Sequence, residues 1–313
     1  MREVGETGAN PQEILEGQLA CGHCDSAVPV VRGIPRFVGE ESYAHSFGFQ
    51  WNRFDRLQLD IAMHNDLSRD RFYATTGWPS RMEGVRILEA GCGMGRFTQL
   101  ALETGAEVYS FDLSLAVEAA YRNNFGSNRL RIFQASIYEV PLPKNYFDKI
   151  FCMGVLQHCP QVRTAFDNLV HYLKPGGEIV IDVYEKSNGF PPLKYIARPF
   201  LKNWKPESVY SLLKWTIPPA FELKKVMNRI PGAGPQLARL IPIGPLSHAP
   251  RLNYTEDQMK EVKILSALDM LSPAYDQPQR MEDVRVWLEE AGLTSIEMKR
   301  GYNGINAKGR RPE

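Results

Sequence analysis

The sequence contains no continuous apolar run approaching the roughly 20 residues of a membrane-crossing helix, so no helical span is expected. Its opening residues, MREVGETGANPQEILEG, lack the apolar core of a signal peptide, and the expected location is cytoplasmic. Excess charge is lacking too: 37 Lys and Arg against 36 Asp and Glu leave a formal +1, which argues against a dedicated polyanion binder. Cysteine is sparse and odd in number. Cys21, Cys24, Cys92, Cys152 and Cys159 in 313 residues fit free thiols in a reducing compartment better than a disulfide framework. What remains is a globular composition, 43% hydrophobic, long enough for one large domain with additions or two small ones.

One stretch organises the rest, Val85 to Asp112, VRILEAGCGMGRFTQLALETGAEVYSFD. Arg86-Ile87-Leu88 reads as a buried strand rising into Glu89. Gly91, Gly93 and Gly95 then recur at every second position, so the backbone can turn sharply and let a ligand approach. From Arg96, the residues Phe97, Leu100, Ala101 and Leu102 take up helical spacing, and Val108 to Phe111 is a β-rich run ending on Asp112. This is a βαβ unit with its ligand edge at the carboxyl ends of the strands. A dinucleotide fingerprint wants a third glycine five positions after the first, where this chain has Arg96. Glu89 is expected beside the ligand, where a carboxylate repels a pyrophosphate and suits a sulfonium or ammonium. Asp112 is placed to accept hydrogen bonds from a ribose.

On these residues the sequence resembles the class I S-adenosylmethionine-dependent methyltransferases, whose Glu/Asp-x-Gly-x-Gly-x-Gly motif matches Glu89, Gly91, Gly93 and Gly95. The resemblance continues through GVLQHCP after the fourth strand, Lys149 to Met153, and through LKPGG between a helix ending at Leu173 and a fifth strand, Glu178 to Tyr184. It implies an α/β fold: a doubly wound, Rossmann-like seven-stranded sheet with an antiparallel last strand. It also implies S-adenosylmethionine as cofactor, with S-adenosylhomocysteine as product. Leu113 and Met153 join the expected cofactor contacts. Ser136 stands where the family usually carries the acid that bonds adenine, with Ile137 packing on the ring. His158 is either a general base or a packing histidine, and Tyr184 and Asp276 are reserve catalytic groups.

The other segments follow from this frame. Residues 1 to about 18 are polar with little periodicity and are expected to be mobile. Cys21-Gly-His-Cys24 resembles the second half of a small zinc ribbon, so 1–40 is a partial ribbon. With only two of the four ligands a structural zinc needs, a metal-free remnant is expected. Residues 41–82 are expected to form two helices, broken near His64 to Ser68, that cover the cofactor. There the resemblance makes Gln50 and Trp51 cofactor or lid residues and Tyr43 a substrate residue, and Tyr275 is a second substrate candidate. Residues 83–189 and 252–313 form the methyltransferase domain. Between them, 190–251 holds eleven of the 22 prolines and ten Lys or Arg against only Glu207 and Glu222. It reads as a basic helical cap suited to lid duty, or to contact with anionic lipid or a phosphorylated substrate. The expected acceptor is a small molecule, such as a sugar, a lipid-linked intermediate or a natural product, methylated on oxygen or carbon. Rival readings are an RNA methyltransferase and a catalytically silent cofactor-binding or partner protein. The oligomeric state is left open.

Overall fold

A computed structural model describes residues 2–7, 14–24, 26–39, 42–186, 194–243 and 254–313. The chain opens with an antiparallel sheet of β1 (Arg2–Thr7), β2 (Ile14–Ala20), β3 (Ala27–Val31) and β4 (Ile34–Pro35). Within the stretch expected to be mobile, Val4 pairs with Gln18 and Gly5 with Gly17. Backbone pairing holds this hairpin, and β2 is only half-buried, so apolar alternation gave no signal. Arg36, just past β4, ties the small sheet to the main body through Gln134 at 3.2 Å and Glu118 at 3.0 Å.

Three helices follow, α1 (His45–Arg53), α2 (Asp60–Met63) and α3 (Leu67–Thr76), where two were expected. The break falls at His64, whose left-handed backbone ends α2. Asp60 then accepts from the amides of Ser68 and Arg69, which start α3.

The main sheet is built from β5 (Arg86–Ala90), α4 (Arg96–Glu103), β6 (Glu107–Asp112), α5 (Ala116–Asn124), β7 (Leu130–Gln134) and β8 (Phe147–Met153). A single 3-10 turn (Leu156–His158), α6 (Val162–Val170) and β9 (Leu173–Val183) come next. After these lie α7 (Lys194–Leu201), α8 (Pro206–Asn228), α9 (Gly234–Ala238), α10 (Glu256–Leu271), α11 (Met281–Glu290), β10 (Thr294–Arg300) and β11 (Ile305–Arg310). The spatial order is β10-β11-β9-β8-β5-β6-β7, with β11 antiparallel to both neighbours. The expected seven-stranded, doubly wound architecture is the one observed. Its order reverses between β5 and β8, so a crevice opens beyond their carboxyl ends. One boundary differs from expectation: the LKPGG segment does not stop a helix but lies inside β9, absorbed by a bulge between Phe147 and Lys149 of β8.

Among the apolar clusters, two matter most for the site. Leu88, Phe111, Ile150 and Phe166 are buried between the sheet and its helices. A separate cluster joins Phe54 and Leu57 after α1 to Val209, Leu213 and Ile217 of α8 and to Ile264, Leu265 and Leu268 of α10. α10, expected within the second part of the methyltransferase domain, packs against α8 of the expected cap in this cluster. No helix among the described residues is long and apolar enough to cross a membrane.

Candidate active site

A cavity of about 640 Å³ lies over the carboxyl ends of β5, β6 and β8, roofed by α1 and α10. Its volume is within the range of roughly 300–1,000 Å³ typical of ligand pockets.

Its floor is the glycine turn between β5 and α4. Gly91, at φ +78°, passes so close to Val155 that a Cβ would lie 2.4 Å from a valine methyl. Gly93, at φ +54°, faces the indole of Trp51, which a Cβ would approach to 3.2 Å from Nε1. The Gly93 amide donates to Asp112 Oδ2 at 3.0 Å, while Oδ1 accepts from the Ser114 amide and hydroxyl. Asp112 is thereby fixed at the cavity edge with lone pairs left for a diol, and burial raises its pKa above the ordinary value. Leu113, Ile137 and Met153 complete this end.

Three predicted cofactor residues do not reach the cavity wall. Glu89 is 1% exposed and turned into the protein, where Thr98 and Ser110 donate to Oε2 at 2.5 and 2.6 Å. Burial pushes its pKa up to about 7, so it cannot select a ligand by charge at the cavity wall as the sequence reading expected. Gly95 serves helix packing, since a Cβ there would strike Asn124 and Ala120. Ser136 turns its hydroxyl back to the Tyr138 amide, 3.2 Å away, instead of facing an adenine.

Positive charge arrives from two residues that sequence reading passed over. Arg71 of α3 reaches the cavity with one nitrogen 3.0 Å from Asp182 and its Nε buried without a hydrogen bond. Arg96, noted in the sequence only as a missing glycine, lines the same wall. Burial, and next the charge of Arg71, push its pKa down to about 9. Two guanidiniums sharing a wall leave room for an anionic group between or beside them.

The opposite end centres on His158, which is 5% exposed. Its Nδ1 lies 2.9 Å from the carbonyl oxygen of Tyr275, which can only accept, so Nδ1 carries the proton and Nε2 is the free lone pair. Nε2 is buried without a hydrogen-bond partner among the described residues. Phe47 and Tyr184 pack on the ring at 4.9 and 5.5 Å and fix its plane. Tyr184 donates to Asp269 Oδ2 at 2.9 Å, and Gln50 Nε2 donates to Asp269 Oδ1 at 3.0 Å. Burial and then the Asp269 charge hold the Tyr184 hydroxyl well above its ordinary pKa, so it is a positioning donor and not a reserve base. Tyr43 lines the cavity, whereas the side chains of Tyr275 and Asp276 do not. Tyr275 contributes its carbonyl and stands edge-on to Tyr43 at 5.7 Å. The Asp276 carboxylate is buried with no hydrogen-bond partner among the described residues.

Cys21 and Cys24 sit in the β2–β3 turn, where the Cys24 thiol donates to Ser26 Oγ at 3.3 Å. No cluster of three or more His, Cys, Asp or Glu arranged for a metal occurs among the described residues.

With this geometry in place, residues 88–181 match the model of the methyltransferase domain family. A ubiquinone biosynthesis O-methyltransferase of Rhodopseudomonas palustris is 25% identical over 173 residues, covering 55% of this chain and 68% of that one. A tRNA U34 carboxymethyltransferase of Methylococcus capsulatus is 30% identical over 228 residues, 69% of this chain and 62% of that one. Human N-acetylserotonin methyltransferase, solved with its S-adenosylmethionine, superposes with a TM-score of 0.47 at 14% identity, covering 87% of this chain and 57% of that one. Across the curated relatives the chain spans between 30% and 68% of their length. By this domain the chain is a class I S-adenosylmethionine-dependent methyltransferase. The cavity fits that cofactor: a glycine cradle, an acid at the end of β6, and two arginines for a carboxylate, Arg96 and Arg71, the latter with its Nε free of a partner among the described residues.

Proposed function

We propose that the protein methylates a small polar acceptor on oxygen or acidic carbon, with His158 as the general base. When bound, S-adenosylmethionine supplies an electrophilic methyl group on a positively charged sulfur. Asp112 is assigned to its ribose, the Gly91–Gly93 backbone to its close approach, and Arg71 and Arg96 to its carboxylate. The protein's remaining task is to orient the acceptor, keep water out and remove one proton.

The observation that carries the reading is the His158 pair: Nδ1 pinned by the Tyr275 carbonyl, Nε2 buried and unpaired. A packing histidine would satisfy both nitrogens or expose one. Gln50 Oε1, on the same cavity wall, is also buried without a partner among the described residues, which supports an acceptor that brings its own hydrogen-bonding groups. Asp269 and Tyr184 line the same cavity and would read polar functions on the acceptor.

The tRNA-directed relative makes RNA the second reading. The formal charge of +1 and the burial of Arg198, which donates to the Met270 carbonyl, weigh against a basic track leading to the site. The experiment is transfer of labelled methyl from S-adenosylmethionine to a panel of phenols, catechols, hydroxy acids and sugars, with bulk tRNA alongside. Label on a small acceptor that disappears in His158→Asn, at unchanged donor affinity, is expected. Label on tRNA alone would overturn the reading.

A further inference from the structure

The segment 194–243 holds most of the large apolar side chains exposed anywhere among the described residues. On α8 they are not scattered. Val209, Leu213, Ile217 and Phe221 are buried against α10 and form the inner stripe. Leu212, Trp215, Pro219, Leu223 and Val226 recur at three- and four-residue steps and form a second stripe on the outer side. Trp215 is 83% exposed, and Leu223 and Val226 are each 55% exposed. One helix of 23 residues, about 35 Å long at 1.5 Å per residue, thus carries two apolar faces and covers only one. Phe200 and Trp204 before α8, and Ile230, Leu237 and Leu240 after it, enlarge the uncovered side. A soluble surface does not ordinarily keep so long an apolar row in water.

Charge indicates what covers it. Lys205 leads into the outer row of α8 and Arg229 follows it, Lys202 and Arg239 are exposed in the flanking segments, and none of the four joins an ion pair among the described residues. The acids nearby are few: Glu222 is engaged by Lys260, Glu256 by Lys225, and Glu207 is exposed at the start of α8. A second copy laid on this face would set basic residues against basic residues. A negatively charged bilayer meets both needs, taking the apolar row at the acyl boundary and the cations among its headgroups. We propose that the outer face of α8, with its flanking turns, docks on an anionic lipid bilayer and holds the enzyme in the plane of the membrane surface. Arg198 of α7 is buried, so only α8 presents a complete outer row. The proposal does not depend on which acceptor is methylated.

Flotation of the full chain with vesicles tests it. Binding to phosphatidylcholine vesicles containing phosphatidylglycerol is expected, with weak binding to phosphatidylcholine alone. Raised salt is expected to weaken the binding. The double variant Trp215→Ser/Leu223→Ser is expected to lose about tenfold or more in partitioning, while keeping its melting temperature and S-adenosylmethionine affinity. Lys205→Glu/Arg229→Glu is expected to lose the preference for anionic vesicles. Failure of the unaltered chain to float, equal binding by the Trp215→Ser/Leu223→Ser variant, or a lipid-free dimer that this variant converts to monomer would each overturn the proposal.

Discussion

The floor and the roof of the cavity are assembled in opposite ways. The floor comes from a single unbroken βαβ unit, and its key hydrogen bond, Gly93 to Asp112, joins residues close in the chain. In the roof, Gln50 meets Asp269 and His158 meets Tyr275, so segments from early, middle and late in the sequence converge. The floor is rigid backbone held by packing, as befits a site for a constant donor. The roof is a set of side chains on separate helices and a loop, as befits an acceptor site that differs between relatives. On the function proposed above, acceptor recognition belongs to the least local part of the structure.

Substitutions can break this contrast, and Gly91→Ala should have the largest effect. The positive φ and the clash with Val155 are expected to cost about 2–4 kcal/mol, read as a lower melting temperature and loss of donor binding. Normal values would remove Gly91 from the cradle. His158→Asn is expected to lower turnover by about 10²–10⁴ with donor affinity unchanged in calorimetry, so a parallel loss of both would return His158 to a packing role. Asp112→Ala is expected to weaken donor binding by about 1.5–3 kcal/mol, and an unchanged dissociation constant would refute the ribose assignment. Asp269→Asn should raise the acceptor KM by about tenfold, equivalent to about 1.4 kcal/mol, and leave donor affinity alone. If donor affinity fell instead, roof and floor would be one unit.

The smallest expected effect concerns Glu89. Its pKa is raised from 4.5 to about 7, so the folded protein binds a proton there that the unfolded chain releases earlier. That stabilising contribution is complete below about pH 4.5 and is lost as pH rises through about 7. Chemical denaturation across this window should show a decline that Glu89→Gln flattens. An identical slope in the variant would mean that the carboxylate is charged throughout.

The sheet and the donor cradle were legible in the sequence because both are local. Glycines at 91, 93 and 95, an acid ending β6, and apolar spacing in α4 each read out within a few residues. Glu89 misled because a motif fixes position in the chain and not the direction of the side chain. Thr98 and Ser110, one on the helix and one on the next strand, turn it inward. Arg96 was seen only as a glycine that was missing, although an arginine opening α4 beside the cradle could have been read as an anion ligand. Asp269 carried no local signal, since its partners lie in α1 and at the end of β9. The N-terminal hairpin escaped because β2 is only half-buried and shows no apolar alternation.

The Gln50–Asp269–Tyr184 bridge also bears on how such an enzyme changes its preferences. Two helices and a strand end meet at one carboxylate, so a single replacement there moves three side chains at once while the adenosyl cradle stays still. A lineage could thus drift from one acceptor to another by exchanging the residues around position 269, without first giving up its grip on the methyl donor.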